Sequence, residues 1–382
     1  MSPDDSVMRK LLILISFFGL VTLSFGQGFY LEPAFRYSKH IPFPDFSDYP
    51  VYEADLRLGW QTHGEKAWQQ GFNCPSFGLG LRFEHNTMRD YFDGMSQTFI
   101  TLGNCYSAYG FCNGHLIRRK NFQFDYTWGA GLSYWPNSGN RFISTPLTVH
   151  LTLDFGPVFR LSEHWDLLAR AVFSHGSNGA IIVPNKGVNA FGGQVGLRYF
   201  PKGRTELKEK ANDSIFNKLN TVYILNGIGF YESTAIDDLR CIGNTFQVGY
   251  SRTFHPCFRY GGGIDFLYSG ENRAMYEVNG ALDRFSTADY FALAPFVSFD
   301  LLYGDLVFHL SFAYYVWQPA DYLPKGYKKF YERLALQYHF GPQKQFFVGA
   351  GMKVHLDCID YIEWTIGMNL FSWKGNKQTY SP

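Results

Sequence analysis

Outside its first 26 residues, the sequence lacks any apolar run long enough to form a transmembrane helix. It is also poor in cysteine, with six in 382 residues and no pair at the spacing of a zinc site or a CxxC motif. Neither sign of charge is in excess, since 34 Lys and Arg oppose 33 Asp and Glu spread along the chain. These absences exclude a bundle of membrane helices and a nucleic-acid partner, and they give no support to a metal or cofactor site.

The long apolar run that does occur lies at the start of the sequence. It follows Arg9 and Lys10, reads LLILISFFGLVTLSFG, and ends with Ser24 and Gly26 at the small-residue positions of a signal-peptidase site. We therefore predict a secretory signal peptide over residues 1–26, cleaved before Gln27. An oxidising compartment would allow one or two disulfides, whose pairing the sequence does not give.

Aromatic residues and glycine are abundant. Phe, Trp and Tyr make up 19% of the chain, with 38 Phe and 26 Tyr, and there are 39 Gly. Apolar and polar residues alternate over stretches of roughly ten residues separated by turn signals, which is typical of transmembrane barrel strands. The sequence thus predicts an all-β, antiparallel transmembrane outer-membrane β-barrel. A water-soluble β-sandwich would explain the alternation, but not the aromatic content together with a signal peptide.

The organisation of the strands leaves two alternatives. A polar run at residues 202–218, predicted to be a periplasmic connection, separates residues 27–201 from residues 219–382. We expect one barrel of about 16 strands, since alternating strands continue without a globular linker; two smaller eight-stranded units are the alternative. The short joints fall on one side, the periplasmic side preferred by such barrels. The joint THGEKAWQQGFNCPS, residues 62–76, is unexpectedly long for that side.

The strand that leads into FSHGSNGA ends in polar residues on the side that should contact lipid. Asp166 and Arg170 mark its lumen-facing side, so His175 and Ser177 continue the lipid-facing side. Polar groups on such a wall must be satisfied by one another or be used. A His and a Ser two positions apart on one strand are neighbours, as a general base and its nucleophile need to be.

Further groups complete this candidate site. Asn189 lies on the lipid-facing side of the next strand, on which Gln194 and Arg198 mark the lumen, and it can accept the other N–H of the imidazole. The side chain of Asn178 and the amide of Gly179 can donate to an oxyanion. From alternation alone, an inert polar cluster that ties the rim of the barrel together is the alternative.

Residues 173–200, FSHGSNGAIIVPNKGVNAFGGQVGLRYF, resemble the signature of the PagL-type lipid A 3-O-deacylases, which is His-x-Ser-Asn followed after a short gap by Pro-Asn-x-Gly. The matching residues are His175, Ser177, Asn178, Pro184, Asn185 and Gly187. Residues 106–135 are similar to a longer version of this family found in Bacteroidetes-type bacteria, often labelled acyloxyacyl hydrolase. Residues 353–371, KVHLDCIDYIEWTIGMNLF, are similar to it less specifically.

The resemblance implies a carboxylic ester hydrolase of the outer membrane that cleaves the ester at position 3 of lipid A without a metal or cofactor. It implies that Ser177 is the nucleophile, His175 the general base, Asn178 part of the oxyanion hole and Asn185 a residue that shapes the site. Better-known members carry a Glu where this chain has Asn189. An amide fixes the imidazole tautomer but does not stabilise an imidazolium by charge, so slower turnover or a lost activity are alternatives.

Other functions remain open at this point. A phospholipase or an acyltransferase would use the same Ser and His, and a non-catalytic barrel, a porin or a scaffold, would use neither. The expected partners are lipid A or lipopolysaccharide and the outer membrane, with no nucleic acid. The sequence does not indicate an oligomeric state.

Overall fold

The computed structural model describes residues 28–41, 49–94, 96–204, 206–207, 214–233, 236, 238–319, 329–355 and 358–380. The predicted signal peptide lies outside these residues, as does part of the predicted connection at 202–218. No helix among the described residues is long and apolar enough to cross a membrane. The five cysteines whose side chains are described, Cys74, Cys105, Cys112, Cys241 and Cys257, are all buried, and Cys105, Cys112, Cys241 and Cys257 form no disulfide with a described residue.

The first half of the chain closes into an eight-stranded antiparallel barrel. Its strands are β1 (Phe29–Ile41), β2 (Pro50–Gln61), β3 (Ser76–Asn86), β6 (Asn104–Arg118), β7 (Phe122–Tyr134), β8 (Leu147–Arg160), β9 (Trp165–Ser177) and β10 (Val188–Tyr199). Two short strands, β4 (Tyr91–Asp93) and β5 (Thr98–Ile100), pair with each other in the joint between β3 and β6. The barrel closes where β10 pairs with β1, for example Gly193 opposite Tyr37.

The second half closes separately into another eight-stranded antiparallel barrel. Its strands are β11 (Ser214–Glu232), β12 (Arg240–His255), β13 (Phe258–Ser269), β14 (Phe291–Tyr303), β15 (Leu306–Tyr314), β16 (Phe330–Phe340), β17 (Phe346–His355) and β18 (Cys358–Tyr380). This barrel closes where β18 pairs with β11, as at Met368 opposite Ile224. Helix α1 (Ala67–Gly71) lies between β2 and β3, and helix α2 (Glu271–Val278) with two 3-10 turns, Leu282–Arg284 and Thr287–Tyr290, lies between β13 and β14.

The expectation of a single 16-stranded barrel is therefore wrong, and the alternative of two eight-stranded units is correct. The sixteen alternating stretches do become the sixteen barrel strands. Alternation reports only which face of a strand is inside, and it is the same in a barrel of eight or sixteen strands. Closure depends on whether the first and last strands of each half pair with each other, and these strands are far apart in the sequence.

Both barrel interiors are filled by side chains, including charged ones that neutralise each other. In the first barrel, Arg36 lies 2.7 Å from Asp55, and Arg170 lies 2.7 Å from Glu32. In the second, Arg333 lies 2.8 Å from both Asp265 and Glu363. Interiors of eight-stranded barrels are just wide enough to be packed in this way. The lumen markers predicted from the sequence, Asp166, Arg170, Gln194 and Arg198, are all buried.

The two barrels pack against each other at both ends. At one end, Phe72 stacks on Tyr303 with ring centroids 4.4 Å apart, and Trp68 meets the same ring edge-on. Cys112 and Cys257 lie in this cluster and are fully buried. The long joint at residues 62–76 is thereby explained, because its helix α1 supplies the first barrel's contact with the second. At the opposite end, Ala180 and Val183 of the first barrel pack among residues of the second, namely Tyr231, Leu239, Cys241, Ile359 and Tyr361.

Candidate active site

The candidate residues meet where β9 ends and β10 begins, at the end of the first barrel opposite α1. Antiparallel pairing sets Asn189 directly across from His175. His175 and Ser177 follow the outward-facing residues of β9, while Ser174 and Gly176 follow the buried, lumen-facing ones. The polar residues thus lie on the outer wall of the barrel, as alternation predicts.

His175 is oriented by Asn189. Its Nδ1 lies 2.7 Å from the side-chain oxygen of Asn189. An amide oxygen only accepts hydrogen bonds, so Nδ1 carries the proton of the neutral ring and Nε2 keeps an unshared electron pair. This is the tautomer that a general base requires.

Ser177 is almost fully covered, with 7% of its surface exposed. Its Oγ accepts a hydrogen bond from the backbone N–H of Gly179 at 3.4 Å. Within the described part of the chain, no hydrogen bond joins this hydroxyl to the His175 ring. Contacts between a nucleophile and its base are often long before substrate binds, so this geometry is compatible with such a pair.

Gly187 marks how closely His175 and Ser177 approach one another. A Cβ at this position would lie 3.0 Å from Cε1 of His175 and 3.1 Å from Cβ of Ser177, so both side chains border one small space. The backbone of Gly187 also has a positive φ of 71°, which side chains of other residues adopt only with strain. Glycine therefore fits here for two independent reasons.

The two predicted asparagines on the loop between β9 and β10 hold the loop in place. The amide nitrogen of Asn178 donates to Ser144 Oγ at 2.8 Å and to the Ile182 carbonyl at 2.9 Å. The side-chain amide of Asn185 is oriented so that both its oxygen and its nitrogen have a partner. The oxygen accepts from the Asn178 backbone N–H at 3.1 Å, and the nitrogen donates to the Phe142 carbonyl at 3.2 Å. The amide of Asn178 is therefore engaged by Ile182 of the loop and by Ser144 of the joint between β7 and β8. The group that donates to Ser177 Oγ is the Gly179 N–H.

The second barrel also holds this loop, which sequence reasoning did not anticipate. The carboxylate of Glu232 accepts from the Val183 N–H at 2.6 Å, and the Glu232 N–H donates to the Ala180 carbonyl at 2.9 Å. Gly179, with a φ of 66°, lies against Ile362, whose Cγ1 would be 2.3 Å from an added Cβ. No periodicity in the sequence links Glu232 to Val183, 49 residues earlier, because the link exists only once both barrels have closed.

Comparison with known families assigns the second barrel. Residues 220–373 match the family model described as acyloxyacyl hydrolase, C-terminal domain. The second barrel is thus similar to the C-terminal domain of acyloxyacyl hydrolases. This confirms the family that the sequence resembles. The match supports a hydrolase acting on an acyl lipid, and it lies outside residues 173–200, which carry the His, Ser and Asn motif.

The search of curated proteins gives no match. Among solved structures, CdiB from Acinetobacter baumannii is 9% identical over 91% of this chain and 60% of its own, with a TM-score of 0.19. OccK5 (OpdH) from Pseudomonas aeruginosa is 11% identical over 91% of this chain and 98% of its own, with a TM-score of 0.19. A Rh. blastica porin mutant is 8% identical over 90% and 99%, with a TM-score of 0.17.

Proposed function

We propose that the protein is an outer-membrane esterase that removes the ester-linked acyl chain at the 3-O position of lipid A. The observation that carries the proposal is the hydrogen bond from His175 to Asn189, which leaves a basic Nε2 on the same outer wall as Ser177. The acyloxyacyl hydrolase domain in the second barrel supports the reaction class. A nucleophile on the outer wall suits a substrate that stays in the membrane.

The location in a membrane is supported by the outer surfaces of both barrels. Large apolar side chains project outward along the strands, among them Leu79 at 61% exposure in the first barrel and Ile366 at 63% in the second. Bands of this extent are unusual on soluble proteins and normal on barrel walls that contact lipid. Apart from the joint at residues 62–76, the long joints would then face outward from the cell, together with the candidate site.

The proposed reaction is acyl transfer to Ser177 followed by hydrolysis. His175 Nε2 removes the hydroxyl proton as Ser177 Oγ attacks the ester carbonyl, and the N–H of Gly179 stabilises the developing oxyanion. The proton on His175 passes to the departing sugar oxygen as the ester bond breaks. Water then attacks the acyl-serine with the same base, which releases the fatty acid and restores the serine. Asn178 and Asn185 act as positioning residues that hold the loop carrying Gly179.

The test is mass spectrometry of lipid A from cells that express the wild type, Ser177→Ala or Ser174→Ala. Ser174 lies on the same strand and is also buried, but it faces the lumen, so it is a matched control. The proposal expects loss of one hydroxyacyl chain with the wild type and with Ser174→Ala, and none with Ser177→Ala. Unchanged lipid A in all three strains, with folded protein in the membrane, would overturn it. Release of a fatty acid from phospholipid instead would assign a phospholipase.

A further inference from the structure

A cavity of about 830 Å³ opens at the end of the first barrel opposite the candidate site. It is formed by the joints between β2 and β3, β6 and β7, and β8 and β9, and by the segment after β10. Six cationic side chains line it: Arg118, Arg119, Lys120, Arg160, Lys202 and Arg204. Two carboxylates, Glu163 and Glu206, oppose them, so the lining carries an excess of positive charge.

This excess is a local property, because the whole chain is balanced at 34 basic and 33 acidic residues. Residues far apart in sequence are collected at one end of one barrel. The corresponding end of the second barrel differs, since Lys344 in the turn between β16 and β17 pairs with Asp305 at 2.6 Å. A general tendency of barrel rims to carry basic residues therefore does not explain the cavity.

Some of the cationic side chains that line the cavity are held by hydrogen bonds or ion pairs, and others are exposed to solvent. Arg118 donates to the Asn73 carbonyl at 2.8 Å, and Arg204 pairs with Asp166, which anchors both guanidinium groups. Arg119 and Lys120 are exposed and form no ion pair with any residue that the structure describes. Like charges held around one concave space repel one another and concentrate a positive potential there, which an anion would relieve.

We infer that this cavity binds a phosphate-bearing anion, at a site separate from the ester chemistry. Four of the six cations are arginines, whose planar guanidinium groups can each give two parallel hydrogen bonds to phosphate oxygens. The volume admits a diphosphate or a phospholipid headgroup. In the orientation proposed above, the cavity lies at the level of the inner leaflet. The two sources of the phosphate are therefore an anionic lipid of that leaflet and a soluble phosphate compound.

The experiment measures binding by the full chain in a neutral detergent, independently of esterase activity. Inorganic pyrophosphate is titrated calorimetrically, and retention of phosphatidylglycerol is compared with that of phosphatidylcholine by native mass spectrometry. The test variant combines Arg119→Glu, Lys120→Glu and Arg160→Glu, all at exposed positions. Lys344→Glu is the matched control, because it reverses an exposed lysine at the same end of the other barrel. A variant with glutamine at the three test positions repeats the measurement without adding negative charge.

The wild type should bind at least one probe, with the affinity of the triple variant lowered by roughly tenfold or more and that of Lys344→Glu nearly unchanged. Binding of phosphatidylglycerol alone identifies a lipid headgroup as the source, and binding of pyrophosphate alone identifies a soluble phosphate. The inference is wrong if neither probe binds. It is also wrong if binding survives in both triple variants, or if Lys344→Glu weakens it equally.

Discussion

Glu232 of the second barrel and Val183 of the first are joined by a 2.6 Å hydrogen bond from backbone N–H to carboxylate. Glu232 is buried, and its own N–H donates to the carbonyl of Ala180. Two bonds therefore tie one residue of the second barrel to the loop that carries Gly179. The second barrel completes the candidate site without contributing a group that reacts.

We expect Glu232→Ala to lower kcat by roughly tenfold, since loss of a hydrogen bond to a charged acceptor costs about 1.5–3 kcal/mol. KM should change little, because the loop positions the reacting groups. Glu232→Gln keeps an acceptor oxygen and should retain most of the activity. Steady-state kinetics on purified lipid A would measure both, with Glu277→Ala, an exposed change on α2, as control. Equal kcat in Glu232→Ala and an active wild type would exclude this positioning role.

Gly187→Ala should lower kcat by roughly tenfold, because its Cβ would press on both His175 and Ser177 and shift each by a few tenths of an ångström. A full misplacement of about 1 Å costs on the order of a hundredfold in rate, so a smaller shift should cost less. Gly139 offers a matched control, since it also has a positive φ, of 81°, but an added Cβ would meet nothing within 4 Å. Both variants should lose similar stability in thermal melts, and only Gly187→Ala should lose kcat. If Gly139→Ala were equally inactive, backbone strain alone would account for the effect.

The uncharged amide of Asn189 should limit the rate of the proposed reaction. A carboxylate in its place would stabilise the imidazolium that forms when His175 takes the serine proton, so Asn189→Asp should raise kcat by roughly tenfold. Asn189→Leu removes the acceptor and should lower kcat by roughly a hundredfold. Asn226→Asp, on the exposed face of the second barrel, adds the same charge elsewhere and serves as control. A decrease of kcat in Asn189→Asp would mean that this site has adapted to the amide.

The part of the candidate site that lies on one β-hairpin could be predicted from the sequence. His175, Ser177 and Asn189 lie on adjacent strands, so a period of two residues and one turn were enough to place them together. The contact of Asn178 with Ser144, and that of Val183 with Glu232, involve residues from a different joint and a different barrel. Their proximity follows from strand pairing and from packing between barrels, which leave no periodic pattern in the sequence.

The fold shows the same division between local and long-range information. Alternation located the strands and the buried charges such as Arg170, but not the pairing of β1 with β10 that closes the first barrel. The charged lumen-facing residues indicate the size of the barrel. Within each half, Arg and Asp residues such as Arg36 and Asp55 can pair with each other, as a packed eight-stranded interior requires. A sixteen-stranded barrel would instead enclose water, which could solvate these charges.

The helix α1 in the joint at residues 62–76 contacts the second barrel, and this contact can be tested. Phe72 is 9% exposed and stacks on Tyr303, so Phe72→Ala should remove about 3 kcal/mol from the contact between the barrels. Trp68 and Trp128, two of the eight tryptophans, lie in the same cluster, so part of the tryptophan fluorescence reports on it. In a urea titration of Phe72→Ala we expect part of the fluorescence to change at lower urea than β-sheet circular dichroism, whereas the wild type should show one transition. Phe92→Ala, at a side chain that is 50% exposed, should leave both signals unchanged. A single unaltered transition in Phe72→Ala would show that the stacking of Phe72 on Tyr303 does not hold the barrels together.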